Sequence, residues 1–169
     1  VFEDADFEAA VMGAISGIFA ATGQTCIAGS RLLVQRSIHD KFVKRLVEVA
    51  GAATIGDPMS TETHVGPVTT PPQYQKILDY IAIAKSEGAK CVLGGGPYDG
   101  AGARGKQFVQ PTIFTGVSND MRIAQEEVFG PVLSIIPFDS EDDAVNIGND
   151  IVYGLAAGVW TSDIGRALR

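Results

Sequence analysis

Cysteine, histidine and positive charge are all scarce in this chain of 169 residues. The two cysteines, Cys26 and Cys91, stand 65 positions apart, which makes no disulfide framework. No C-x-x-C pair occurs, and His39 and His64 lack partners at metal-ligand spacing, so no metal site is expected. Unpaired thiols point to a reducing, intracellular home. The 13 basic residues are scattered and outnumbered by 20 acidic ones, for a net charge of -7. That balance disfavours nucleic acid and anionic membranes as partners. No apolar run approaches the ~20 residues of a membrane span. The opening "VFEDADFEAA" lacks the basic and apolar regions of a signal peptide. A cytoplasmic protein is therefore expected. Neither end reads as complete: Val1 is not a methionine, "VF" resembles the tail of a strand, and "SDIGRALR" starts a helix behind a Ser or Asp cap. The expectation is a piece cut at both ends.

What is present is an ordinary globular balance, 46% hydrophobic and 20% charged, in a length that suits one domain. "FEAAVMGAISGIFAATG" carries apolar residues at helical spacing, with Asp6 placed to cap its start and Gly23 to end it. "RLLVQRS" reads as a strand, and "IHDKFVKRLVEVAGAA" as an amphipathic helix capped at Ser37 or Asp40. A loop rich in Gly, Pro, Ser and Thr follows, then a second helix with Pro72 in its first turn. "AKCVLGG", "QFVQPTIFTGV", "PVLSIIPF" and "GLAAGVW" read as strands, with "SEDDAVNIGND" as a helix between the last two. Alternating strands and helices predict an α/β class, a three-layer α/β/α domain with a mostly parallel sheet.

Gly100, Gly102 and Gly105 fit G-x-G-x-x-G, the dinucleotide fingerprint, but no strand precedes them and no helix follows. A surface loop is the better reading. Cys91 lies among apolar neighbours in a short strand, where a free cysteine is usually buried and inert. Cys26, in "ATGQTCIAGSR", sits where a turn between helix and strand can present a thiol. Thiolate chemistry needs a nearby cation, base or helix N-terminus, and spacing alone shows none, so filler and nucleophile both stand. In "AQEEVFGPV" the two glutamates fit either a solvated helix end or a carboxylate at the rim of a sheet, where α/β folds place ligands.

Taken together, "VFEDADFEAAV", "GQTCIAGSRLLV", "IGDP", "VGPV", "GAKCVLGGG", "FVQPTIF", "AQEEVFGPVLSIIPF" and "YGLAAGVWTSD" resemble the aldehyde dehydrogenase superfamily over nearly the whole chain. The pair "GQTC" and "EEVFGP", with Cys26 and Glu127 101 positions apart, is the specific part of the likeness. The resemblance implies that Cys26 is a nucleophile attacking an aldehyde carbonyl, with its own backbone N–H helping to hold the oxyanion. It implies that Glu127 binds the nicotinamide ribose of NAD or NADP and that Phe129 packs beside the nicotinamide end. Gln24 and Thr25 would frame the turn and line the substrate tunnel.

The resemblance also implies what residues 1–169 leave out: the general-base glutamate, the oxyanion asparagine, the Rossmann cofactor domain and the C-terminal oligomerisation segment. A truncated catalytic domain with negligible activity alone is the expectation. The parent would be a homodimer or homotetramer acting on a small-molecule aldehyde. A CoA-acylating relative, which passes its thioester to a thiol, is the first alternative. A cysteine hydrolase or a non-catalytic α/β binding module is the next, and the hydrolase would need a histidine within reach of Cys26.

Overall fold

In the computed structural model, which describes residues 1–100, 103 and 107–169, alternation along the longest strand sets the layers. On β4 (Val132–Phe138), Leu133 and Ile135 point to one face of the sheet, Val132 and Ile136 to the other. All but Pro137 are buried, so this strand is covered on both sides and lies centrally, as a near-continuous apolar run predicts. Four strands pair in the order β1 (Arg31–Gln35), β4, β3 (Thr112–Thr115), β2 (Lys90–Leu93). The β1–β4 and β4–β3 pairs are parallel; β2 runs antiparallel along β3 at one edge.

Two cores follow from the two faces. On one, α1 (Phe7–Phe19) and α2 (His39–Gly51) bury Val11, Ile18, Phe42 and Leu46 against Val34, Ile113, Leu133 and Ile135. On the other, α3 (Pro71–Ser86) and the short α4 (Arg122–Gln125) bury Ile77, Ile81 and Ile123 against Phe114, Val132 and Ile136. The α/β/α layering and the mostly parallel sheet are as expected. α5 (Glu141–Asn149) and α6 (Ile164–Ala167) start behind Ser140 and Asp163 caps. Asp6 caps α1 through a 3.0 Å bond from the Ala9 N–H.

Four details differ from expectation. α2 has no side-chain cap: the Ser37 hydroxyl donates to Glu3 at 2.6 Å, and Asp40 lies inside the first turn, beside His39. α1 ends at Phe19, four residues before Gly23. The strand expected over "QFVQPTIFTGV" is confined to Thr112–Thr115, since Pro111 brings no N–H to a ladder. "GLAAGVW" forms no strand. It joins the body at its end, where Phe2 N–H donates to Trp160 O at 3.0 Å and the Trp160 ring packs on the core against Gly13, while its small residues offer little to bury. Gly102 and Gly105 of the glycine motif lie outside the described residues. Among those described, no helix is long and apolar enough to cross a membrane.

Candidate active site

Non-glycine residues with positive φ number three among the described residues: Ala21 (51°), Thr22 (58°) and Phe129 (56°). A left-handed residue with a Cβ costs on the order of 1–2 kcal/mol, and such strain collects where structure serves function. All three lie in the two segments that the sequence singled out. After α1, Ala21, Thr22 and Gly23 (φ 68°) turn the chain back in three consecutive left-handed steps. A tight turn then runs from Thr25 to Ala28, closed by the Ala28 N–H on Thr25 O at 3.0 Å. Cys26 and Ile27 form its corner, and both are exposed. No hydrogen-bond partner reaches the Cys26 thiol or its N–H among the described residues.

Gly23 has no room for a side chain, because a Cβ there would overlap the carbonyl oxygen of Gly130. The glycine of "GQTC" and the glycine of "EEVFGP" are therefore back to back, and the two motifs meet in space. The loop before α3 fastens the first of them. Thr22 Oγ1 donates to Gly66 O at 3.2 Å, and Gln24 Nε2 to Pro67 O at 3.3 Å. Gln24 Oε1 accepts from both the N–H and the hydroxyl of Thr69, each at 2.9 Å. An open cavity of about 290 Å³ lies beside the turn, lined by Ala21, Gln24, Pro58, His64 and Pro67 among others. The start of β1 is tied down as well. Arg31 donates to Asn119 Oδ1 (2.7 Å) and to the carbonyls of Ile147 and Gly148 at the end of α5 (3.0 Å each).

The adjacent glutamates differ. Glu126 takes a two-pronged bond from Arg122 (2.8 and 2.9 Å) and a third from the Tyr80 hydroxyl (2.6 Å). Those donors, Arg122 first and Tyr80 second, hold its carboxyl at a pKa of about 2. Sharing its proton with that carboxylate raises the Tyr80 phenol above its ordinary value. Glu127 is exposed and has no side-chain partner among the described residues, and Phe129 is half-buried. A carboxylate free to accept from a diol and an aromatic face beside it suit the ribose end of a nucleotide.

Neither histidine serves the thiol. His39 bonds Asp40 at 2.9 Å, and His64 Nδ1 accepts from the Thr54 N–H at 3.0 Å. No cluster of three or more His, Cys, Asp or Glu suited to a metal occurs among the described residues. Cys91 is half-buried rather than buried, and its thiol donates to Leu93 O at 3.2 Å.

Sequence reasoning missed Gln73, whose side-chain Nε2 donates to the carbonyls of Val128 and Phe129, at 2.9 Å each. A signal was there. Thr70-Pro-Pro-Gln73 has the spacing of a capping box, in which the fourth residue bonds back to the first. Thr70 does cap α3, accepting from Gln73 N at 3.4 Å, but the Gln73 amide crosses to the other motif instead.

The structure is thus a three-layer α/β domain in which two strained turns meet, one leading to an exposed thiol and the other following an unpartnered carboxylate. The chain belongs to the aldehyde dehydrogenase family, whose sequence profile matches residues 1–169. It is 49% identical over its full length to a betaine aldehyde dehydrogenase of Mesorhizobium japonicum, of which it covers 35%. It is 48% identical over 99% of its length to an aldehyde dehydrogenase 1A1 of Oryctolagus cuniculus, covering 33% of that protein. The crystal structure of a betaine aldehyde dehydrogenase from Staphylococcus aureus in complex with NAD+ superposes with a TM-score of 0.97 at 42% identity. The match spans 99% of this chain and 33% of that one. The chain therefore spans about a third of the length of these relatives.

Proposed function

We propose that residues 1–169 form the catalytic-domain portion of an NAD(P)-dependent aldehyde dehydrogenase that converts a small aldehyde to a carboxylate. The observation that carries this reading is the contact of the two strained turns, Gly23 on Gly130, one turn leading to an exposed thiol and the other following an unpartnered carboxylate. The Cys26 sulfur, as thiolate, adds to the aldehyde carbon, and the carbonyl π pair moves to oxygen to give a hemithioacetal alkoxide. The free Cys26 N–H at the corner of its turn is available to that oxygen. Bound NAD(P) supplies the hydride acceptor, and Glu127 and Phe129 are suited to hold its nicotinamide ribose. Loss of hydride leaves a thioester on Cys26, and water releases the acid and restores the thiol. Neither histidine reaches the thiol among the described residues, and proton removal from that water is assigned to residues outside this chain. The cofactor domain and the oligomerisation segment of a homodimer or homotetramer are likewise assigned to the rest of the protein.

The test is steady-state turnover of an aldehyde by the full-length protein. Cys26→Ser is expected to lower kcat by at least about a thousandfold, whereas Cys91→Ser stays within about twofold. Residues 1–169 alone are expected to show negligible turnover. A Cys26→Ser protein that keeps more than about a tenth of wild-type kcat would sink the reading.

A further inference from the structure

Lys85 and Cys91 take no part in the site above, yet the fold brings their amine and thiol together over one glycine. Lys85 stands in the last turn of α3, and Cys91 in β2, which follows it. A Cβ on Gly95 would lie 2.6 Å from Cys91 Sγ and 3.0 Å from Lys85 Nζ, so both atoms crowd the same side of that residue. Position 95 needs glycine on two counts, its φ of 92° and the lack of space for a side chain. Two carbonyls of the same turn hold the pair. The Lys85 ammonium donates to Gly95 O at 2.6 Å, and the Cys91 thiol to Leu93 O at 3.2 Å. Gly95 is in turn fixed to β3, its N–H donating to Thr112 Oγ1 at 3.0 Å. The register of β2 on β3 shifts between Cys91 and Leu93, the kind of irregularity that re-aims a side chain at a sheet edge. No carboxylate pairs with Lys85 among the described residues. Lys85 is exposed and Cys91 half-buried, so a small oxidant can reach both.

We propose that Cys91 and Lys85 form a redox-modification site, in which a hydroperoxide leads to a bond between the sulfur and the lysine nitrogen. The sulfur attacks one peroxide oxygen and the O–O bond breaks, giving Cys91–SOH and, from hydrogen peroxide, water. Sulfur loses two electrons and the peroxide gains them. Lys85, after its ammonium gives a proton to water, attacks that sulfur as the free amine. The S–O bond breaks, and the departing hydroxide takes a proton from the nitrogen to leave as a second water. A dithiol reverses the step: one of its sulfurs displaces the amine, the other then frees Cys91, and the dithiol ends as a disulfide. While it lasts, the bond ties the end of α3 to the edge strand and keeps Cys91 from passing on to sulfinic acid, which is irreversible.

The experiment exposes the full-length protein to hydrogen peroxide and reads tryptic peptides by mass spectrometry, so that oxidation at Cys26 is scored separately. The expected product joins the Lys85 peptide to the Cys91 peptide, weighs about 2 Da less than the two together, and is parted by dithiothreitol. Lys85→Arg keeps the charge and removes the nucleophilic amine. It is expected to yield no linked pair and at least about threefold more Cys91 sulfinic acid than wild type at equal peroxide. Lys85→Met replaces it if that variant does not fold. Equal sulfinic acid in wild type and variant overturns the proposal. So does a wild type without the linked pair, or with its sulfur joined to a backbone nitrogen.

Discussion

Cys26 and Cys91 are the same side chain in two different mechanical settings. Cys91 lies on the edge strand β2, where the register with β3 shifts between Cys91 and Leu93; it is half-buried, and its S–H is already engaged with Leu93 O. Cys26 stands at an exposed corner, behind three left-handed residues, and no hydrogen bond reaches its sulfur among the described residues. The conformational cost at Cys26 is borne by its neighbours rather than by the cysteine, and what that cost secures is access. At Cys91 the side chain stays within a strand and the thiol is occupied. The contrast teaches that a reactive side chain is recognised by how the chain around it is held, since composition treats both cysteines alike.

The largest effect is expected where that holding is tightest. Gly23→Ala places a Cβ in a left-handed residue and against the Gly130 carbonyl. Both faults act on backbone, which cannot move aside as a flexible side chain would. A loss of at least about 2 kcal/mol in unfolding free energy is expected. Gly94→Ala, near Cys91, meets the same pair of faults, with φ 65° and the Pro111 carbonyl in the way. Its stability loss should be similar. Only Gly23→Ala, however, should change the alkylation rate of Cys26 in native protein. Equal changes at Cys26 from both variants would erase the distinction between the two settings.

Direct labelling sharpens it further. In the wild type, iodoacetamide followed by peptide mass spectrometry is expected to modify Cys26 about tenfold faster than Cys91, from exposure and the free thiol. Similar rates would mean that the turn gives no advantage in access.

These contrasts show which parts of the molecule were legible in the sequence. The run "PVLSIIPF" could be read as a doubly buried strand and Asp6 as a cap, because both are local rules of period and side-chain reach. Cys26 and Glu127 emerged from paired motifs. That they meet depends on a glycine-to-glycine approach that no local rule encodes. Ser37 was misread for the same reason: its hydroxyl had a better partner in Glu3, 34 residues away. Gln73 sits at capping-box spacing, yet its bonds lie 55 and 56 residues off. The small-residue segment "GLAAGVW" has strand composition but no ladder to join among the described residues. Local chemistry predicted elements well, and failed where a side chain had a choice between a near partner and a far one.

Strain itself can be tested at Ala21, where φ is 51° and the side chain is exposed. Ala21→Gly is expected to stabilise the protein by about 1 kcal/mol, since glycine adopts this conformation freely. In α3, the helix leading toward Cys91, the exposed Ala82 is ordinary helix, and Ala82→Gly is expected to destabilise by about 1 kcal/mol. Opposite signs from one substitution would locate the strain on the Cys26 side. The same sign at both positions, measured by denaturant unfolding, would mean the left-handed turn is not strained at all.

The smallest effect concerns the glutamates, which repeat the cysteine contrast as one held group and one presented group. Glu126 is the held one, with Arg122 and Tyr80 lowering its pKa from 4.5 to about 2. A carboxyl with a lower pKa in the folded state than in the unfolded chain stabilises the fold while ionised. That contribution is complete above about pH 4.5 and is lost as the pH falls through about 2. Part of the group faces water, so added salt should shrink it. The melting temperature of the wild type relative to Glu126→Gln should be level from neutral pH to about 5, then converge below that as the carboxylate protonates. An acid limb that survives intact in Glu126→Gln would mean that Arg122 and Tyr80 do not hold this carboxylate. Glu127 would then be no better supported than the residue beside it, because its freedom to meet a ribose presumes a neighbour that stays fixed.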